Sequence, residues 1–188
     1  MTVESPDVPW ARNHDERGVP PRFDALPSRA AMFFHSFLGS SNIRSGSIAD
    51  LGCGNGRNAV YFAQSGFEVH AIDCSEDAVD GLDRYGVYPY CQDLAECWLF
   101  GDSAFDLAMD VFCYSQEPDK DRRLAYRREL MRTLKPEGYF LLAVPAMLFP
   151  KTAIEKEFAE FLIVASDETV ESIAGGRVKT LNFVMKKR

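Results

Sequence analysis

The sequence predicts an α/β protein: a three-layer, doubly wound sheet, mostly parallel, with an antiparallel hairpin at its C-terminal end. Three observations point there. From residue 28 onward, short apolar segments alternate with amphipathic segments of helical period. A glycine-rich stretch joins the first apolar segment to the helix after it. The final two segments alternate in polarity around Gly175-Gly176, as paired strands do.

Taken in order, residues 1–27 read as an N-terminal arm. "SPDVPWARNHDERGVPPRFDALP" is rich in proline and charge and has no sustained apolar period. Trp10 and Phe23 would let this arm dock as a lid. Residues 28–188 read as one domain. "SRAAMFFHSFL" puts apolar residues on one helical face, with Ser28 as N-cap. "SIADL" is a buried strand, "RNAVYFAQSG" a helix closed by Gly66, and "FEVHAID" a second strand. "SEDAVDGLDRY" opens as a helix on Ser75, with acids in its first turn. "GVYPYCQD" is a third strand made irregular by Pro89, and "AFDLAMDVFCY" a fully buried fourth. "DKDRRLAYRRELMRTL" is a helix ended by Lys135-Pro136 and Gly138. The strand "YFLLAVP", a short helix "TAIEKEFAEF" and the hairpin complete the chain.

Composition narrows the function. With 188 residues, 46% of them hydrophobic, the chain can bury one sizeable core. A net charge of −7 and a pI near 5.0 disfavour a nucleic-acid partner. No apolar run is long enough to span a membrane. Five cysteines without a C-x-x-C pair, and three scattered histidines, suggest neither a disulfide framework nor a metal site. A reducing, cytoplasmic setting is the expectation.

The chemistry centres on "DLGCGNGRN". Gly52, Gly54 and Gly56 follow Asp50 as D-x-G-x-G-x-G, which suits a sharp turn, a close backbone approach to a ligand and free N–H groups at the next helix start. A dinucleotide fingerprint needs a small residue where Arg57 stands, and the P-loop pattern is absent. Asp73 ends the second strand 21 residues after Gly52, where a carboxylate can accept ribose hydroxyls. Asp50 would repel a pyrophosphate but favour the ammonium and sulfonium of S-adenosyl-L-methionine. Asp93, after the third strand, could accept from an adenine amino group, with Leu94 against the ring.

On these residues the chain resembles the class I S-adenosylmethionine-dependent methyltransferases, a Rossmann-like fold. "IADLGCGNGRN", "VHAIDCS" and "CQDLAE" resemble their cofactor motifs, "FDLAMDVFCY" the strand before their transfer site, and "LMRTLKPEGYFLLAVP" the helix-turn-strand that follows. The first motif region looks most like the small tellurite-resistance and thiopurine type. The resemblance implies cofactor contacts from Asp50, Gly52, Cys53 and Gly54 at the methionine end, from Asp73 and Cys74 at the ribose, and from Asp93 and Leu94 at the adenine. It places Asp110 where the cofactor pocket closes.

Insertions that build the substrate site in such enzymes are short here, so a small-molecule acceptor with an S, Se/Te, N or O nucleophile is expected. Trp10, Phe112 and Tyr114 are its candidate contacts, with Met147 and Phe149 nearby. No general base stands out. Arg122, Arg123, Arg127 and Arg128 read as a solvated, ion-paired helix face that an acidic substrate could use. The alternative reading is a cofactor-binding module or regulatory subunit without catalysis of its own.

Overall fold

A computed structural model describes residues 26–173 and 176–188. Trp10 and most of the expected arm therefore lie outside the described residues. Helix α1 spans Arg29–Ser40, and the Ser28 hydroxyl accepts from the Ala31 N–H as the expected N-cap. Strands β1 (Ser47–Leu51), β2 (Glu68–Asp73), β3 (Val87–Cys91), β4 (Phe105–Val111) and β5 (Leu134–Pro145) follow. Helices α2 (Arg57–Gln64), α3 (Glu76–Val79), α4 (Lys120–Thr133) and α5 (Lys151–Glu157) are interspersed, and β6 (Phe161–Ile173) and β7 (Gly176–Lys187) end the chain.

The strands form one sheet in the order β3-β2-β1-β4-β5-β7-β6. The first five strands run parallel, while β7 pairs antiparallel with both β5 and β6. The mostly parallel doubly wound sheet with its terminal hairpin is the architecture the sequence predicts.

Alternation along each strand builds the three layers. In β1, Ile48 packs into a core with Phe34, Leu38 and Phe62 of α1 and α2, while Ala49 packs into a second core with Leu130 and Ile154 of α4 and α5. The strand order reverses between β1 and β4, so a crevice opens at their carboxyl ends.

Three local expectations change. The helix expected over "SEDAVDGLDRY" is only the short α3 and a 3-10 turn at Leu82–Tyr85, because Gly81 between them takes φ 69°. Ser75 stands at the N-cap but its hydroxyl makes no capping bond. Pro89 leaves β3 regular, since β3 is the sheet edge and half of its backbone donors face no strand. The turn expected at Lys135–Gly138 is instead taken into β5, whose register with β4 skips between Phe105 and Leu107.

Candidate functional site

The glycine loop follows β1 and is tied to its neighbour. The Gly52 and Cys53 N–H groups both donate to the Ile72 carbonyl of β2, at 2.8 and 3.0 Å. The Gly54 N–H donates to Asp73 Oδ2 at 2.9 Å, and the Ser75 N–H to Asp73 Oδ1 at 3.0 Å. Gly52 has φ 72°, and a Cβ on it would lie 2.3 Å from the Cβ of Cys113. Glycine is required here both by the backbone and by the close approach of the β4 exit.

A cleft opens over these strand ends. Gly52, Gly54, Asp73, Cys74, Asp93 and Leu94 all line it, which brings six of the sequence-derived cofactor residues to one surface. The other three, Asp50, Cys53 and Asp110, are buried and stand behind that lining. Asp50 and Asp110 belong to the paired strands β1 and β4, and Cys53 to the glycine loop between β1 and α2. Of the two acceptor-side candidates within the described residues, Tyr114 lines the cleft and Phe112 does not. Phe112 takes φ 76° straight after β4, and that reversal carries the chain from the strand to Tyr114.

The buried carboxylates are perturbed. Asp50 is 2% exposed and its Oδ2 has no hydrogen-bond partner. Burial above all, with the charges of Asp110 and Asp73, pushes its pKa up to about 8. Asp110 accepts from the Tyr114 N–H at 2.9 Å and the Tyr126 hydroxyl at 2.8 Å. Burial outweighs those bonds and raises its pKa to about 7. Desolvation and the neighbouring Asp73 push the Cys74 thiol to about 12, so it is a poor nucleophile near neutral pH.

Tyr114 is packed as well as cleft-facing. Its ring stands against Tyr126, Phe149 and Phe158. Its hydroxyl donates to Glu157 and accepts from Arg127. Burial and that carboxylate raise its pKa, so Tyr114 is held as a neutral phenol. Met147, expected near the pocket, is 86% exposed. Among the described residues no group of three or more His, Cys, Asp or Glu side chains could hold a metal ion, and no helix is long and apolar enough to cross a membrane.

The arginines read from the sequence as a solvated, ion-paired helix face open to an acidic substrate stand partly at the cleft. Asp93 accepts from Arg122 through both carboxylate oxygens, at 3.0 and 2.8 Å, and Arg122 also donates to Glu117 at 2.7 Å. Arg122 and Arg123 both line the cleft, as does Glu117. A signal was present: two arginines fall in the first turn of α4, where the helix dipole disfavours cations. The eight residues from Phe112 to Asp119 connect β4 to α4, and they hang that turn over the same strand ends.

A family model described as a methyltransferase domain matches residues 48–138. An uncharacterised methyltransferase of Synechocystis sp. is 37% identical over 98 residues, which cover 50% of this chain and 45% of that protein. The chain spans about half the length of the curated relatives it matches.

Among solved structures, the Burkholderia thailandensis 1,6-didemethyltoxoflavin-N1-methyltransferase with bound 1,6-didemethyltoxoflavin and S-adenosylhomocysteine superposes with a TM-score of 0.67. It is 24% identical, with 84% of this chain and 76% of that chain covered. TehB from Haemophilus influenzae matches with a TM-score of 0.67 at 14% identity, over 82% and 62% of the two chains. The fold expected from the resemblance to class I methyltransferases is thus shared with both of these structures.

Proposed function

We propose that this protein transfers a methyl group from S-adenosyl-L-methionine to a heteroatom of a small molecule. The observation that carries the reading is the cleft at the carboxyl ends of β1, β2 and β4, where the glycine loop is fastened to Asp73. The residues present fit the cofactor. A Cβ on Gly54, which lines the cleft, would meet nothing within 4 Å, so the loop backbone there is open to a ligand. Asp73 and Asp93 retain lone pairs beyond those already engaged. Leu94 adds an apolar wall.

S-adenosyl-L-methionine supplies a methyl group already activated by its sulfonium. The chain's task is then to bind, orient and exclude water. In this reading Asp73 accepts the ribose hydroxyls and Asp93, steadied by Arg122, accepts from the adenine amine. Asp50 and Asp110, whose pKa values burial raises in the cofactor-free protein, would ionise against the cationic methionine end behind the loop. Tyr114, fixed by Glu157 and Arg127, closes the cleft as packing. The toxoflavin N-methyltransferase supports a small-molecule acceptor by fold likeness.

The test is calorimetric titration of the full chain with S-adenosylmethionine and S-adenosylhomocysteine, alongside an Asp73→Ala variant. Binding in the micromolar range, about −8 kcal/mol, that collapses in the variant is expected. Absence of binding to either ligand overturns the reading. Tight binding without transfer to any acceptor in a broad panel would instead mark a binding module.

A further inference from the structure

The two sides of the cleft differ in charge. On the side of β2 and β3 the carboxylates Asp73 and Asp93 line it, and at the first turn of α4 Arg123 does. The Arg123 side chain is only 13% exposed. Its guanidinium carbon lies 5.9 Å from the ring centroids of both Tyr114 and Phe149, which hold it in place. Nη1 donates to the carbonyl of Glu117 at 2.8 Å and, at longer range, to that of Pro118. Nε is buried without a hydrogen-bond partner, the Glu157 carboxylate standing 3.6 Å away. Among the described residues nothing accepts from Nη2.

The charge count around it is uneven. Glu157 faces both Arg123 and Arg127, at 3.6 and 3.3 Å, and also accepts from the Tyr114 hydroxyl. Two guanidiniums thus share one carboxylate, while the neighbouring Arg122 is held by two, Asp93 and Glu117. A mostly buried arginine with unspent donors is costly unless something completes it. The planar fork of a guanidinium fits a carboxylate.

We propose that the methyl acceptor is a small molecule bearing a carboxylate, and that Arg123 receives this carboxylate at the acceptor side of the cleft. This rests on the methyltransferase reading above and names its substrate class. Arg123 is then a specificity-determining residue, and the carboxylate is the handle by which the nucleophile is aimed.

The experiment uses the full chain saturated with S-adenosylhomocysteine. Ligand-observed NMR compares 4-hydroxybenzoate, anthranilate and thioglycolate, which carry O, N and S nucleophiles, with their primary amides. At least one acid is expected to bind about tenfold or more tightly than its amide. Arg123→Met should remove that preference and Arg123→Lys should keep part of it. Both variants should bind S-adenosylhomocysteine within about twofold of the unaltered chain, which a structural role for Arg123 would not allow. The proposal is overturned if no acid binds more tightly than its amide, or if Arg123→Met keeps the preference. The acid–amide comparison stands on the unaltered chain even where a variant fails to fold. Failure of that chain to bind S-adenosylhomocysteine would instead sink the methyltransferase reading itself.

Discussion

The backbone N–H of Gly54 donates to the carboxylate of Asp73 across 2.9 Å, joining the glycine loop to the end of the neighbouring strand. Asp73 also accepts from the Ser75 N–H, so a single side chain orders the start of two successive loops. Replacing it with Asn keeps the shape but turns one oxygen into a donor facing an N–H. Asp73→Asn is expected to lower stability by about 1–2 kcal/mol and to weaken S-adenosylhomocysteine binding by about tenfold or more. Urea unfolding and calorimetry read the two effects separately.

Gly52→Ala meets two obstacles: φ 72° and the Cβ of Cys113 at 2.3 Å. A loss of about 2 kcal/mol or more is expected in denaturant unfolding. Cys113→Gly removes the clashing side chain but not the backbone strain. In a double-mutant cycle the cost of Gly52→Ala should therefore shrink, without vanishing, in the Cys113→Gly background.

Stability of the cofactor-free protein should fall as pH rises from about 4 to about 8. Asp50 and Asp110 have pKa values pushed up from 3.8 to about 8 and about 7. Over that window the folded state holds protons that the unfolded chain has released, so each group's stabilisation is complete below about pH 4 and lost as pH climbs through its raised value. Each proton so held contributes a slope of up to about 1.4 kcal/mol per pH unit. Asp106 acts oppositely at the acid end, because hydrogen bonds from Lys135 and Ser47 outweigh its desolvation and hold its pKa down. A stability maximum at about pH 4 is expected by urea titration across pH. Asp50→Asn should flatten its alkaline side.

Arg122→Ala should leave stability within about 1 kcal/mol, since both partners of its ion pair with Asp93 are partly exposed. Its effect should appear in adenine recognition. With Asp93 no longer held in a fixed orientation, the preference for S-adenosylhomocysteine over S-inosylhomocysteine should narrow by several-fold, as competition binding would show.

Glu171 of the terminal hairpin is 4% exposed and accepts from the Ala30 N–H at the start of α1, at 3.0 Å. Glu171→Ala leaves that helix donor unpaired in the core and should cost about 1–3 kcal/mol. Thermal or urea unfolding checks this, with cofactor affinity expected to stay near that of the unaltered chain.

How much of the site the sequence reveals depends on how local each signal is. The glycine triplet and Asp73 are legible because their spacing along the chain mirrors the βαβ unit that holds them. Arg122 and Arg123 are not, because their sequence neighbours Asp121 and Glu129 suggest an ion-paired surface helix. Their actual partners, Asp93 and Glu157, lie 29 and 34 positions away. The packing of Trp98 is similarly hidden. Its indole donates to the Leu94 carbonyl and its backbone N–H to Glu129, which orders a segment with no helical or strand period of its own.

The sequence by itself determined the element order, the parallel core with its antiparallel end and the loop that faces the cleft, since period, capping and turn residues act over a few neighbouring positions. The tertiary structure alone decided which carboxylates open onto the cleft and which are sealed behind it. Asp50 and Asp73 look alike in the chain, and both stand on strands paired on two sides, yet Asp73 lines the cleft while Asp50 lies buried behind it. It alone also placed the guanidinium of Arg123 beside two aromatic rings at the cleft. Burial and long-range pairing set both outcomes, and neither is written in the residues next door.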